Sequence, residues 1–267
     1  MRVIRFLDAG GRVHLGREAE GGRAEILSGS LEEGLRASGE SAAIARLLAP
    51  LEPVNIFCIG LNYGAHAAET GALPPDNPVI FMKPTSALNH PGSPIMLPAC
   101  SHGPEVDYEA ELAVVIGRRA LNVPEEQALD HVFGYTCAND VSARRWQKHG
   151  GGGQWTRGKG FDSFCPLGPV LVTADEIPDP QRLGLSSRLN GELMQDGHTS
   201  DMLFTVARLI HLMSQDTTLL PGTVILTGTP PGVGFARTPP VFLAPGDEIV
   251  IEIEGIGRLA NPVLQAG

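Results

Sequence analysis

The segment Glu105-Val-Asp-Tyr-Glu-Ala-Glu-Leu-Ala-Val-Val-Ile-Gly117 sets four carboxylates two residues apart. Side chains alternate along a strand, so Glu105, Asp107, Glu109 and Glu111 are expected on one face, with Val106, Tyr108, Ala110, Leu112 and Val114 on the other. The apolar run includes Ala113 and Val115, so the end of this strand is expected to be buried on both sides. Carboxylates buried together repel, and must take up protons or bind a cation. An all-oxygen donor set suits Mg²⁺, Mn²⁺ or Ca²⁺ better than zinc. A solvated acidic edge is the alternative reading of the same residues. Asp140 closes the apolar run Tyr135-Thr-Cys-Ala-Asn. It can complete a facial oxygen triad with two glutamates, or cap a following helix.

Proton chemistry has its own candidates. In Gly60-Leu-Asn-Tyr-Gly-Ala-His66-Ala-Ala-Glu69 the imidazole and the carboxylate lie one helical turn apart. A carboxylate beside an imidazole fixes its tautomer and raises its basicity, as a general base requires. A surface His–Glu pair is the bland alternative. Lys159 is one of only three lysines, against 17 arginines, and sits among glycines beside Phe161. Partly desolvated, it can stabilise a developing oxyanion; otherwise it is a solvated loop lysine. Gly153–Lys159 fits GxxxxGK, but Gly160 stands where a phosphate loop needs Ser or Thr for Mg²⁺, which excludes a nucleotide loop. Thr227–Gly234 follows a strand-like run and opens no helix, so it is no dinucleotide fingerprint. Its amides and the Thr229 hydroxyl can hold a carboxylate. Cys58, Cys100, Cys137 and Cys165 form no CxxC pair and read as reduced, mostly buried residues.

The elements that must position these groups are mainly strands. Strand-length apolar runs occur at Ile56–Ile59, Val79–Met82, Leu112–Ile116, Val170–Val172, Val224–Leu226 and Glu248–Ile253. Residues 2–27 read as a small antiparallel meander, and 31–48 as a helix carrying Leu31, Leu35, Ile44 and Leu47. Further helices are expected over Pro124–His131 and over Leu203–Met213, the latter capped by Thr199-Ser200-Asp201. Many strands with few helices predict a β-dominated α+β fold. Pro50 and Pro53 suggest a boundary between a small N-terminal domain, 1–50, and a catalytic domain, 51–267. The 267 residues are 42% hydrophobic and 19% charged, an ordinary globular composition. A net charge of −10 argues against a nucleic-acid partner. No apolar run approaches the ~18 residues of a membrane span, and the N-terminus lacks a signal-peptide core. A cytoplasmic protein without nucleic-acid or membrane partners is expected.

Taken together, these segments resemble the fumarylacetoacetate hydrolase family, in its bacterial subgroup with a short N-terminal domain. The resemblance runs from about Asn55 to the C-terminus. It rests on GLNYxxHxxE (Gly60–Glu69), Glu109-x-Glu111, NDVSAR (Asn139–Arg144) with Gln147, QWTRGKGFDSFCPLGP (Gln154–Pro169) and LPGTVILTGTPPGVG (Leu220–Gly234). It implies a mixed β-roll and a homodimer. It also implies a Mg²⁺, Mn²⁺ or Ca²⁺ site at Glu109, Glu111 and Asp140, a His66–Glu69 pair on a mobile lid, and a catalytic Lys159. Substrate contacts are implied at Arg144, Gln147, Gly228 and Thr229. Arg145, where many relatives have Asp, and the run Gly150–Gly153 depart from the pattern and are expected to border the pocket. The family acts on small 2-oxo or enol acids. The favoured expectation is hydrolytic C–C cleavage of an acylpyruvate or fumarylpyruvate. Isomerisation of 2-hydroxyhepta-2,4-diene-1,7-dioate, or decarboxylation (of oxaloacetate, for example), is the alternative, and a non-catalytic metal-binding scaffold a distant third.

Overall fold

A computed structural model describes residues 1–18 and 20–267. The N-terminal strands are β1 (Arg2–Leu7), β2 (Val13–Glu18), β3 (Arg23–Ser30), β4 (Gly34–Ala43) and β5 (Arg46–Leu48). The middle of the chain holds β6 (Ile56–Gly60), helix α1 (Gly64–Glu69), β7 (Val79–Lys83), β8 (Leu88–Asn89), β9 (Ile95–Leu97), β10 (Val106–Asp107), β11 (Ala110–Ile116), β12 (Val132–Asn139), β13 (Ser142–Ala143), α2 (Thr156–Lys159) and β14 (Cys165–Thr173). The C-terminal part adds β15 (Gly184–Leu189), β16 (Glu192–His198), α3 (Val206–Met213), β17 (Val224–Leu226), β18 (Glu248–Ile253) and β19 (Gly257–Gln265). No helix among the described residues is long and apolar enough to cross a membrane.

Among the described residues a twelve-stranded sheet runs β4-β3-β2-β1-β14-β12-β11-β17-β6-β7, with β5 on β1 and β8 on β14. A five-stranded sheet, β16-β15-β18-β19-β9, packs against β11, β12 and β14. Most pairs are antiparallel, while β17–β6, β14–β8 and β19–β9 are parallel, so the strand-dominated fold is mixed, as expected. β1 bonds to β14 through Arg2↔Val172 and Val3↔Leu171, which makes the N-terminal strands part of the same sheet.

β11 is buried along its whole length. Ala110, Leu112, Val114 and Ile116 enter one apolar core, and Ala113 and Val115 enter a second with Cys58, Leu167 and Leu226. Glu111 has the parity of the second face, which places its carboxylate at the end of that core.

Two sequence expectations are corrected. Residues 31–48 form no helix: Gly34–Ala43 pairs with β3 from Ser30↔Gly34 to Arg23↔Ala43. The leucine spacing fits a helix, but Gly34 (φ 90°) and Gly39 (φ 83°) adopt left-handed backbone that a helix cannot contain. The C-terminal helix starts at Val206, and its cap is Thr205, whose side chain accepts from the Arg208 amide; Thr199–Asp201 forms a separate 3₁₀ turn. The stretch after Pro124 is also 3₁₀, over Glu125–His131.

Candidate active site

The register of two antiparallel segments gathers the acidic residues. Ala110 pairs with Asn139, and Val106 and Asp107 pair with Ala143 and Ser142. Between the two ladders the Asp140 amide donates to the Glu109 carbonyl at 2.9 Å, and the Glu109 amide donates to Asn139 Oδ1 at 3.0 Å. Asp140 is thereby fixed beside Glu109. Carboxylate oxygens of Glu109, Glu111 and Asp140 all lie within 4.8 Å of one another, and all three residues are buried. The solvated-edge alternative does not describe them. The strand is interrupted at Tyr108–Glu109, and Glu105 and Asp107 stand outside the triad. Glu105 turns away to accept from the Arg145 amide at 3.1 Å. Asp107 accepts from Arg144 Nε at 2.8 Å and from the Gly234 and Phe235 amides at 2.8 and 3.0 Å.

Three buried cations surround this cluster. Lys159 Nζ donates to Glu109 Oε2 and Asp140 Oδ2, each at 2.7 Å. Arg144 Nη1 donates to Glu109 Oε1 at 2.6 Å and to Gln147 Oε1 at 3.0 Å. Lys83, absent from the sequence candidates, brings Nζ within 2.6 Å of Asp140 Oδ1. It also donates to the carbonyls of Val141 at 3.1 Å, Phe164 at 2.8 Å and Lys159. Burial alone would raise Glu109, but Lys159 and Arg144 hold its carboxyl down at about 2. Glu111 is different: burial, then the charges of Asp140 and Glu109, push it well above the usual carboxylate range. For Lys159, burial works against the charge, yet Asp140 and Glu109 raise the ammonium above its ordinary value. A carboxylate forced upward by two like neighbours is a group that a hard divalent cation would relieve, and the all-oxygen donor set fits such an ion.

His66 and Glu69 meet as their spacing predicts, with Nδ1 2.8 Å from Glu69 Oε1 on α1. Glu69 also accepts from the Gly232 amide at 3.0 and 3.1 Å. The base of this segment is well anchored. Tyr63 and Ala67 are buried, and Asn62 donates to the Thr227 and Phe204 carbonyls at 2.7 and 3.0 Å.

His66, Glu109, Glu111, Arg144, Gln147, Lys159 and Thr229 line one cavity of about 200 Å³, whose apolar wall includes Ile59, Phe81, Trp155 and Phe235. Gly60 is required there, because a Cβ would stand 2.3 Å from the Trp155 ring. The Gly228 amide donates to Glu111 Oε2 at 2.7 Å, so it orients a carboxylate of the cluster. Thr229 Oγ1 accepts from Gln195 Nε2 at 2.7 Å, leaving its own hydrogen available. Arg145 and Gly150–Gly153 are not among the lining residues; Arg145 stacks over Trp146 at 4.8 Å. Lys148, Trp155 and Phe235 do line the cavity, and the sequence reading did not select them. Cys58, Cys137 and Cys165 are buried and Cys100 is exposed, none in a disulfide. Burial pushes the Cys137 and Cys165 thiols up to about 12, the opposite of an activated nucleophile.

A mixed, strand-dominated fold enclosing a His–Glu pair and a buried carboxylate triad defines an enzyme of the fumarylacetoacetate hydrolase family. The family profile described as fumarylacetoacetate (FAA) hydrolase C-terminal matches residues 55–264, and the chain belongs to that family. Among curated relatives, a mitochondrial oxaloacetate tautomerase of Xenopus laevis is 52% identical over 219 residues, covering 82% of this chain and 68% of the relative. A 5-carboxymethyl-2-hydroxymuconate delta-isomerase from Mycobacterium smegmatis superposes with TM-score 0.86 at 41% identity, covering 100% of both chains. A 2-hydroxyhepta-2,4-diene-1,7-dioate isomerase from Mycobacterium marinum gives 0.85 at 41%, covering 100% of this chain and 99% of the other.

Proposed function

We propose that this protein interconverts keto and enol isomers of a small 2-oxo acid with the help of a divalent cation, Mg²⁺ or a similar hard ion, held by Glu109, Glu111 and Asp140. The observation that carries the reading is that His66, paired with Glu69, lines one small cavity together with Glu109 and Glu111 of the triad. The tautomerase and isomerase names of relatives at 41–52% identity favour isomerisation over the C–C hydrolysis that the family name suggests. A bound divalent cation there supplies Lewis-acid polarisation of a substrate oxygen.

The protein's own residues carry the proton. Glu69 occupies Nδ1 of His66, which leaves Nε2 as the nitrogen free to work in the cavity. Nε2 takes a proton from the carbon next to the 2-oxo group, and return of a proton to the oxygen gives the enol. The reverse sequence gives the ketone, and no carbon–carbon bond breaks. Lys159 spends two of its three donors on Glu109 and Asp140; the third is available to the developing oxyanion. Thr229, Gln147 and Arg144 serve to orient the acid. Hydrolysis would use the same groups with water added to a distal carbonyl.

A spectrophotometric panel separates the two. Enol-oxaloacetate, hydroxyheptadienedioate, acetylpyruvate and fumarylpyruvate are each followed with and without EDTA. Loss or shift of the enol absorbance without pyruvate, abolished by EDTA, is expected. Stoichiometric pyruvate from the acylpyruvates would establish a hydrolase instead.

A further inference from the structure

Gln195 takes no part in the proton or metal chemistry, yet its side chain is the centre of four hydrogen bonds. It lies on β16 and is 1% exposed. Its Oε1 accepts from the Ala110 amide at 2.9 Å and from the Ser187 hydroxyl at 3.0 Å. Its Nε2 donates to Thr229 Oγ1 at 2.7 Å and to the Pro230 carbonyl at 2.9 Å. A backbone amide only donates and a carbonyl only accepts, so Ala110 and Pro230 fix which end of the side-chain amide faces which partner. Both hydrogens of Nε2 are then committed, and Thr229 Oγ1 must accept one of them. The Thr229 hydroxyl hydrogen itself meets no acceptor among the described residues, although Thr229 is buried and lines the cavity. It is left as a donor into the cavity, where an acceptor such as a carboxylate oxygen can use it. Ser187, Gln195 and Thr229 thus form a chain of hydrogen bonds that all run in one sense, from the five-stranded sheet into the cavity. Each bond in such a chain polarises the next.

We propose that Gln195 is a positioning residue: by occupying a lone pair of Thr229 it aims the hydroxyl hydrogen at a carboxylate oxygen of the acid in the cavity. The inference rests on the proposed function only for the presence of that acid, and its test needs no turnover. The probe is oxalate, which sets a carboxylate beside further oxygens and cannot enolise; its affinity for Mg²⁺-loaded protein is measured by calorimetry. Gln195→Glu keeps an acceptor for Ala110 and Ser187 but removes the N–H that faces Thr229, whose hydroxyl then turns inward to donate to the new carboxylate. This substitution should weaken oxalate binding at least about fivefold more in protein with Thr229 or Thr229→Ser than in protein with Thr229→Val. The added charge acts in all three backgrounds and cancels in the comparison. Gln195→Met, neutral and of similar size, should give the same pattern and replaces Gln195→Glu if that variant does not fold. Equal weakening in the three backgrounds would overturn the proposal, as would Thr229→Val leaving oxalate affinity unchanged or a wild type that does not bind oxalate. Coupling between Gln195 and Thr229 without keto–enol turnover would overturn the proposed function alone. Turnover without that coupling would overturn this inference alone.

Discussion

Replacing Lys83 by Met removes a fully enclosed charge beside the acidic cluster. Lys83 is 1% exposed, and its ammonium serves Asp140 and the carbonyls of Val141, Phe164 and Lys159 together. Breaking a buried ion pair from one side costs about 3–5 kcal/mol where the other charge is left uncompensated; Asp140 keeps Lys159 here, so the pair itself accounts for the smaller part of the loss. Each stranded carbonyl adds to this at about 1–3 kcal/mol where water cannot reach it. A loss of at least about 4 kcal/mol is expected, a large fraction of the roughly 5–15 kcal/mol that holds a typical domain together. For a chain of this size it corresponds to a fall of about 8–16 °C in Tm. Lys159→Met is the control. Glu109 keeps Arg144 and Asp140 keeps Lys83 in that variant, so its stability should fall about half as far while its activity is lost. Equilibrium urea unfolding of both variants in EDTA and in Mg²⁺ reads the difference. If Lys83→Met stays within about 1 kcal/mol of the wild type, or if Lys159→Met costs as much, the division into structural and working lysines is refuted.

Binding of Mg²⁺ should release protons at a pH above the usual carboxylate range, since burial and two neighbouring charges push Glu111 upward and a ligand carboxylate must be ionised; titrations in weak buffer across the pH range that show no proton release would contradict this. Gly158→Ala puts a Cβ 2.3 Å from the Gln147 amide nitrogen, so the π turn carrying Gln147 and Lys148 must move. Its KM should rise by at least about tenfold, and unchanged steady-state kinetics would rule out the positioning role of that contact. The proposed homodimer should scatter light at twice the 28.2 kDa chain mass at micromolar concentration; a particle of single-chain mass would exclude it.

Where local pattern decides structure, the sequence was readable. Val224–Leu226 and Glu248–Ile253 are strands with the expected limits, because alternating or continuous β-branched runs need little from the rest of the fold. The i,i+3 spacing of His66 and Glu69 and the two-residue spacing of Glu109 and Glu111 carry over directly, since each pair sits on or beside one element. Groups joined across elements were harder to read. Lys83 and Asp140 are 57 residues apart and meet only through the packing of β7 against the loop after β12. One compositional signal pointed there. A chain with 17 arginines keeps just three lysines, and all three lie at this site. Three carbonyls and a carboxylate arranged around one nitrogen suit a compact ammonium and not a planar guanidinium. The strand Gly34–Ala43 is hidden from the leucine spacing for a related reason, because its strand character comes from pairing with β3 and from glycines whose backbone angles that spacing does not reveal.

The central claim, proton transfer beside a metal-holding carboxylate triad with the carbon skeleton kept whole, is tested most directly by proton NMR of oxaloacetate in D₂O. With Mg²⁺-loaded protein, deuterium should enter C3 faster than in protein-free solution, with no accumulation of pyruvate beyond the spontaneous rate. EDTA should return the exchange to background, and His66→Ala should slow it by roughly 10²–10⁴-fold. Exchange that ignores EDTA and His66→Ala, or pyruvate formed with every turnover, would contradict the account.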